Sequence, residues 1–124
     1  MAAPNIVNVT SIFGKTVYDS NVSTSTTIQL QNAANSGKVL KVNTIIAANI
    51  DGTNAADITV LVTNTSGTAL FYLARTISVP ADSSLVVISK DTSFYLEEDR
   101  QIRAFASASS DLSLMTSYEE IDDA

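Results

Sequence analysis

The sequence predicts an all-β fold: a single antiparallel β-sandwich of eight or nine short strands. Three observations carry that expectation. Val, Ile and Thr dominate the apolar runs, and β-branched side chains suit a pleated, half-buried surface. Apolar and polar residues alternate with a period of two in several stretches, the spacing that sends successive side chains to opposite faces of a sheet. Clusters of Asn, Asp, Ser, Gly and Pro separate those stretches at short, near-regular intervals. No segment shows the helical period. The length of 124 residues suits one domain, 1–124, and lets about two-thirds of the unfolded surface be buried. Strand order stays open between a jelly roll and an immunoglobulin-like sandwich.

In chain order, the first strand is expected at 5–12, where Ile6, Val7, Val9 and Ile12 cluster. The second, 26–31, alternates around Ile28 and Leu30. The third, 38–49, follows the turn signal Asn35-Ser36-Gly37 and stops before Asp51-Gly52, a hairpin signal when flanked by strands. In the fourth, 57–63, Ile58, Val60 and Val62 point one way while Asp57, Thr59 and Thr63 point the other. Asn64-Thr65-Ser66-Gly67 then offers a Gly for positive φ and an Asn able to bond its own backbone. The fifth, 69–79, ends at Pro80, which has no N–H for a ladder. Strands at 84–89 and 93–97 follow. At 100–107 Ile102, Ala104 and Ala106 alternate with Arg103, Phe105 and Ser107; at 112–121 Leu112, Leu114, Thr116 and Tyr118 share a face. Ile28, Leu30, Leu40, Val42, Ile46, Ile58, Val60, Val62, Ile102 and Leu114 are the expected core.

Composition narrows the chemistry. The chain has no His, no Cys and no Trp, which removes Cys/His and Ser/His/Asp catalysis, zinc fingers, iron–sulfur sites and disulfides. An acid or base would have to be a carboxylate, Lys or Tyr. An enzyme is not expected, and neither is a cofactor or a metal. The net charge is −6 and the pI near 4.3, with Lys15, Lys38, Lys41, Arg75, Lys90, Arg100 and Arg103 scattered. Phosphate recognition needs clustered cations, so no nucleic-acid partner is expected. No run is long enough for a membrane helix, and the first residues lack the features of a signal peptide, so synthesis in the cytoplasm is expected.

Each candidate site has a plainer reading beside it. Asn49 to Asp57 groups oxygen-bearing side chains around Gly52, but the spacing of a calcium loop and its closing Glu are absent, which favours a turn. Glu97-Glu98-Asp99 supplies carboxylates, yet consecutive strand residues point to opposite faces and do not form a facing pair. A solvated corner is expected there. The tail Tyr118 to Asp123 reads as a frayed acidic end or as an arm docking on a basic surface. Asn8-Val9-Thr10, Asn21-Val22-Ser23 and Asn64-Thr65-Ser66 fit the glycosylation sequon by chance in so Asn-, Ser- and Thr-rich a chain. Gly14-Lys15 and Gly37-Lys38 lack phosphate-loop spacing. Tyr18, Tyr72, Tyr95 and Tyr118 are dispersed.

Three strands carry a surplus of apolar residues. Leu61 opposes the Ile58/Val60/Val62 face, Met115 and Ile121 oppose Leu112/Leu114, and Val86/Ile88 oppose Leu85/Val87. A two-layer sandwich needs one apolar face per strand, so part of the outer surface is expected to meet a partner. Val7, Val9, Leu61, Met115 and Ile121 are the expected apolar contacts. Glu119 and Glu120 are expected to pair with cations across the boundary. The terminal segments, Ala2 to Ile12 and Met115 to Ile121, are expected to act as contact arms.

Several stretches are similar to small virion structural proteins of tailed bacteriophages, especially phages of marine cyanobacteria and other marine bacteria. They are Ala2 to Val9, Asn43 to Val60, Ile77 to Ala81, Leu85 to Asp91, Tyr95 to Glu98 and Ser117 to Ile121. The resemblance covers nearly the whole chain, with motifs that are fold-like rather than catalytic. It implies a virion location and a structural role: a capsid decoration (cement) protein on the head exterior, oligomeric in the virion, made in the host bacterial cytoplasm. Its implied partners are the major capsid protein and copies of itself. The alternatives are a tail, neck or fibre-attachment component, or a host-surface carbohydrate-binding module. One departure stands at the turn after Leu96-Glu97-Glu98, where relatives tend to carry Gly and this chain has Asp99-Arg100.

Overall fold

The computed structural model describes residues 4–122. Strands make up 61% of them. The strands are β1 (Ser11–Asp19), β2 (Thr27–Asn32), β3 (Lys38–Asn49), β4 (Ala56–Asn64), β5 (Ala69–Val79), β6 (Ser84–Ile88), β7 (Phe94–Leu96), β8 (Arg100–Ala106) and β9 (Leu112–Asp122). A 3-10 turn, Lys90–Thr92, separates β6 from β7. One sheet has the order β1-β9-β3-β6, with β7 also on β3; the other has the order β2-β8-β4-β5. Every pairing is antiparallel.

This order decides between the two expected topologies. An immunoglobulin-type sandwich pairs its first two strands within one sheet. Here β1 and β2 lie in different sheets, and among the described residues β4 and β5 are the only sequence neighbours that pair. The chain alternates between layers as a jelly roll does. Asp51-Gly52 is therefore not a hairpin turn, contrary to the sequence expectation: β3 and β4 belong to different sheets. The loop instead crosses between layers, tied by Asn49 Nδ2 to the carbonyls of Asn54 and Val79, each at 2.9 Å.

Between the sheets lies one buried apolar cluster, which includes Val22, Leu30, Val42, Ile45, Ile58, Val60, Leu96, Ile102, Leu112 and Leu114. Most of the expected core sits here. Val62 packs against it partly buried, and two residues, Ile28 and Ile46, turn away from it for the same physical reason. Ile28 pairs with Arg103 while Leu30 pairs with Ile102, so two steps on β2 match one on β8. That bulge turns Ile28 outward, where it is 50% exposed. A second bulge between Val42 and Thr44 shifts the face of β3, so that Ile45 is fully buried and Ile46 points out. A bulge adds one residue to one strand and reverses every side chain beyond it.

The first strand also departs from expectation. It begins at Ser11 and pairs with β9 over nine consecutive residues. Residues 5–8 are turned instead: Asn5 Oδ1 accepts the Val7 N–H at 3.0 Å and the Asn5 carbonyl accepts the Asn8 N–H at 3.1 Å. An Asn side chain that bonds two residues ahead competes with strand pairing. The Thr10 N–H then reaches the Asp122 carbonyl at 2.9 Å and leads the chain into β1.

Candidate functional site

Cross-strand register assembles the most conspicuous surface feature. Tyr18 pairs with Met115, Met115 with Ile46, and Ile46 with Val86. Directly opposed residues share a face, so these four side chains form one apolar row across β1, β9, β3 and β6. The row lies on the outer side, because Val17, Leu114, Ile45 and Val87 occupy the alternate, inward positions. Tyr18 is 76% and Val86 57% exposed. Beside Met115, the small residues Ala48 and Ser113 leave a hollow of about 400 Å³ that Tyr18, Ile46 and Leu114 also line. An outward apolar strip with a hollow beside it is the candidate contact surface of this fold.

The structure places the expected contact residues unevenly. Met115 sits mid-row, and Val7 is 91% exposed. Val9 is half-buried. Leu61 is buried, 6% exposed, though outside the core cluster; it lies between its register partners Arg103 and Tyr72. Ile121 is likewise buried, next to Val39 and Ile12. Glu119 accepts a hydrogen bond from Asn43 Nδ2 at 2.9 Å. Glu120 holds Lys15 at 3.3 Å and Lys38 at 3.4 Å, so both carboxylates have partners within the chain. Tyr118 to Asp122 belong to β9 and are not a frayed end; Asp123, like Ala2 and Ala3 of the expected N-terminal arm, lies outside the described residues. Tyr18, Ile46 and Val86 were not among the expected contacts. Register revealed them, and the Asn43 bulge that turns Ile46 outward left no mark on the alternation.

The acidic groups serve the fold locally. Asp51 accepts the N–H groups of Thr53 and Asn54 at 2.8 and 3.3 Å, and these bonds hold its pKa below 3.8. Partial desolvation, followed by the charge of Asp51, pushes Asp111 above the same value. In the Glu97-Glu98-Asp99 corner the carboxylates go separate ways. Glu98 accepts the Gly37 N–H at 2.6 Å, Asp99 accepts the Thr65 hydroxyl, and Glu97 is exposed. Asp99 takes φ 63°, the left-handed conformation for which Gly is favoured, and one that Asp tolerates.

The tyrosines do not form one platform. Tyr18 and Tyr95 lie on the outer side of the first sheet, at opposite margins, since Tyr95 pairs with Lys41 and Tyr18 with Met115. Tyr72 lies on the second sheet with the Arg75 guanidinium 4.9 Å from its ring centre. A separate cleft of about 570 Å³ opens between the sheets, lined by Phe71, Leu73 and Arg100 from one sheet and by Val87 and Phe94 from the other. Among the described residues, no group of three or more Asp or Glu is placed to hold a metal ion.

No protein-family model matches the chain, and no curated protein matches it. Among solved structures, one that aligns with the chain is described as "Structure of infectious bursal disease virus Gx strain", at 11% identity and a TM-score of 0.44. The alignment covers 91% of this chain and 32% of that one, so this chain spans about a third of the neighbour's length.

Proposed function

We propose that this protein is a structural component of a phage particle, a decoration (cement) protein on the head exterior whose partner is the major capsid protein. A fold alone does not carry a function; the observation that carries this one is the outward apolar row Tyr18–Met115–Ile46–Val86. Packed DNA strains a thin shell, and a small rigid domain seated across neighbouring subunits resists their separation. The row would provide the buried contact, worth about 25 cal/mol per Å² of apolar surface before ordering costs. The net charge of −6 would steer the domain toward a basic rim. The sequence resemblance to small virion proteins supports the same location.

The test is a cryo-EM map of particles purified from the phage that encodes this chain. Jelly-roll density repeated over the capsid lattice, with the Tyr18–Val86 row facing the shell, is the expected result. Density confined to tail or neck would replace the decoration role by the tail role. Absence of the chain from purified particles would overturn the proposal.

A further inference from the structure

The sheet margins are finished in different ways. β5 changes register with β4 at three points and passes through Thr76 at φ 52°. β2 has six residues and a bulge. The margin across from β1 is broken into β6 and β7, of five and three residues, with the 3-10 turn between them. Short edges, bulges and breaks are the devices by which proteins keep an edge from pairing. β1 has none of these backbone devices: its nine residues pair with β9 without a register shift, and its one lysine, a residue type that guards other edges, is bridged to Glu120 at 3.3 Å. Among the described residues, no backbone group of β1 bonds outside that pairing. Gly14, mid-strand, has nothing within 4 Å of where a Cβ would stand.

We infer that β1 is a site of strand addition by a second copy of this chain. The two β1 strands run antiparallel about a two-fold axis at Thr16 and join the β1-β9-β3-β6 sheets into one. The side chains select that register. With Thr16 opposite Thr16 of the second copy, Tyr18 falls opposite Gly14 of the second copy, and the reverse holds by symmetry. The most exposed aromatic of the strand then covers the one position with open space, a cross-strand pairing that offsets the weakness of an edge glycine. Centring the axis on Lys15 would oppose two lysines. Centring it on Val17 would shorten the overlap and move Tyr18 off the glycine. The arrangement uses one patch twice and closes on itself. Because each copy carries −6, the pairing strengthens as salt screens that repulsion.

The inference does not depend on the virion reading, and its test is made on the free protein. The chain contains no cysteine, so Thr16→Cys gives a single thiol that can link only two copies. Ser78→Cys on the bulged β5 edge supplies the rate of random collision. Under mild oxidation Thr16→Cys is expected to form the linked dimer roughly tenfold or more faster than Ser78→Cys, the ratio that about 1.4 kcal/mol of preference gives. In sedimentation velocity at raised salt, Thr16→Lys is expected to abolish the wild-type dimer with an unchanged circular dichroism spectrum. Should that variant misfold, Tyr18→Ala, at an exposed side chain, provides the same readout. Equal cross-linking rates for the two cysteine variants would overturn the inference. So would a wild type that sediments as a monomer at every concentration and salt. Binding to capsids is a separate measurement, so either proposal can fail alone.

Discussion

β1 and β5 are both edge strands with exposed apolar side chains, and they are built for opposite ends. β5 is the more apolar, with Leu70, Phe71, Tyr72 and Ile77 exposed, yet its backbone is bulged three times against β4. The Thr76 N–H is turned back to Thr59 Oγ1 at 3.0 Å. β1 exposes Ile12, Phe13 and Tyr18 on a backbone with no irregularity. The contrast separates two properties that exposure alone confuses. Apolar side chains make a surface that can be packed against; a regular backbone makes one that can be extended.

The comparison presumes that both edges hang from one core, and Val60→Asp tests that presumption with the largest expected effect. Val60 is fully buried. An unpaired carboxylate there costs several kcal/mol against a usual total of about 5–15. No cooperative urea transition is expected for this variant; a folded, soluble product would mean the sheets do not share that core. Thr59→Val acts on β5 alone. It leaves the Thr76 N–H without its acceptor, which costs about 1–3 kcal/mol in the denaturation midpoint. It also releases the bulge, so new oligomers that Thr16→Lys does not suppress are expected. A variant that loses stability but stays monomeric would show that the bulge does not protect this edge.

Acid separates the regions more gently. The Thr65 hydroxyl, its backbone N–H and Arg100 hold Asp99 below its ordinary pKa, the hydroxyl bond being the largest cause. A depressed carboxylate contributes stability that is fully present above 3.8 and is lost as pH falls through the lower folded value. Asp111, whose pKa is raised, works in the opposite sense and relieves strain as it protonates. Hydrogen exchange at residues 64–68, in the β4–β5 turn, is therefore expected to accelerate relative to β8 as pH drops below that range. Asp99→Asn is expected to remove the difference. The smallest effect is that of Glu120→Gln. Its bridges to Lys15 and Lys38 involve partly exposed lysines, and such pairs are worth about 0–1 kcal/mol. A change in melting temperature at the limit of detection is expected, with the β1 edge intact.

Much of the fold was legible in the sequence because alternation is a local signal. The spans 38–49 and 69–79 agree with β3 and β5 to the residue, and most of the predicted core is buried. Ile28 and Ile46 failed because a bulge reverses the face beyond it without disturbing the run of residue types. The span 5–12 failed because the Asn5 side chain bends the backbone before Ser11. Asp51-Gly52 suggested a hairpin because turn chemistry does not reveal whether the next strand joins the same sheet. The candidate surface was legible only in part. Met115 stood out as an apolar residue on the wrong face, but the row it belongs to is made by register across four strands. The regularity of the β1 edge is likewise a property of pairing, which residue types do not display.

Hydrogen exchange of the full chain at low and at high protein concentration, at raised salt, tests the central contrast most directly. Amides in Ser11–Asp19 are expected to gain protection as concentration rises, while those of Ala69–Val79 exchange at the same rate throughout. Protection that rises with concentration in β5 and not in β1, or in neither, would contradict that contrast.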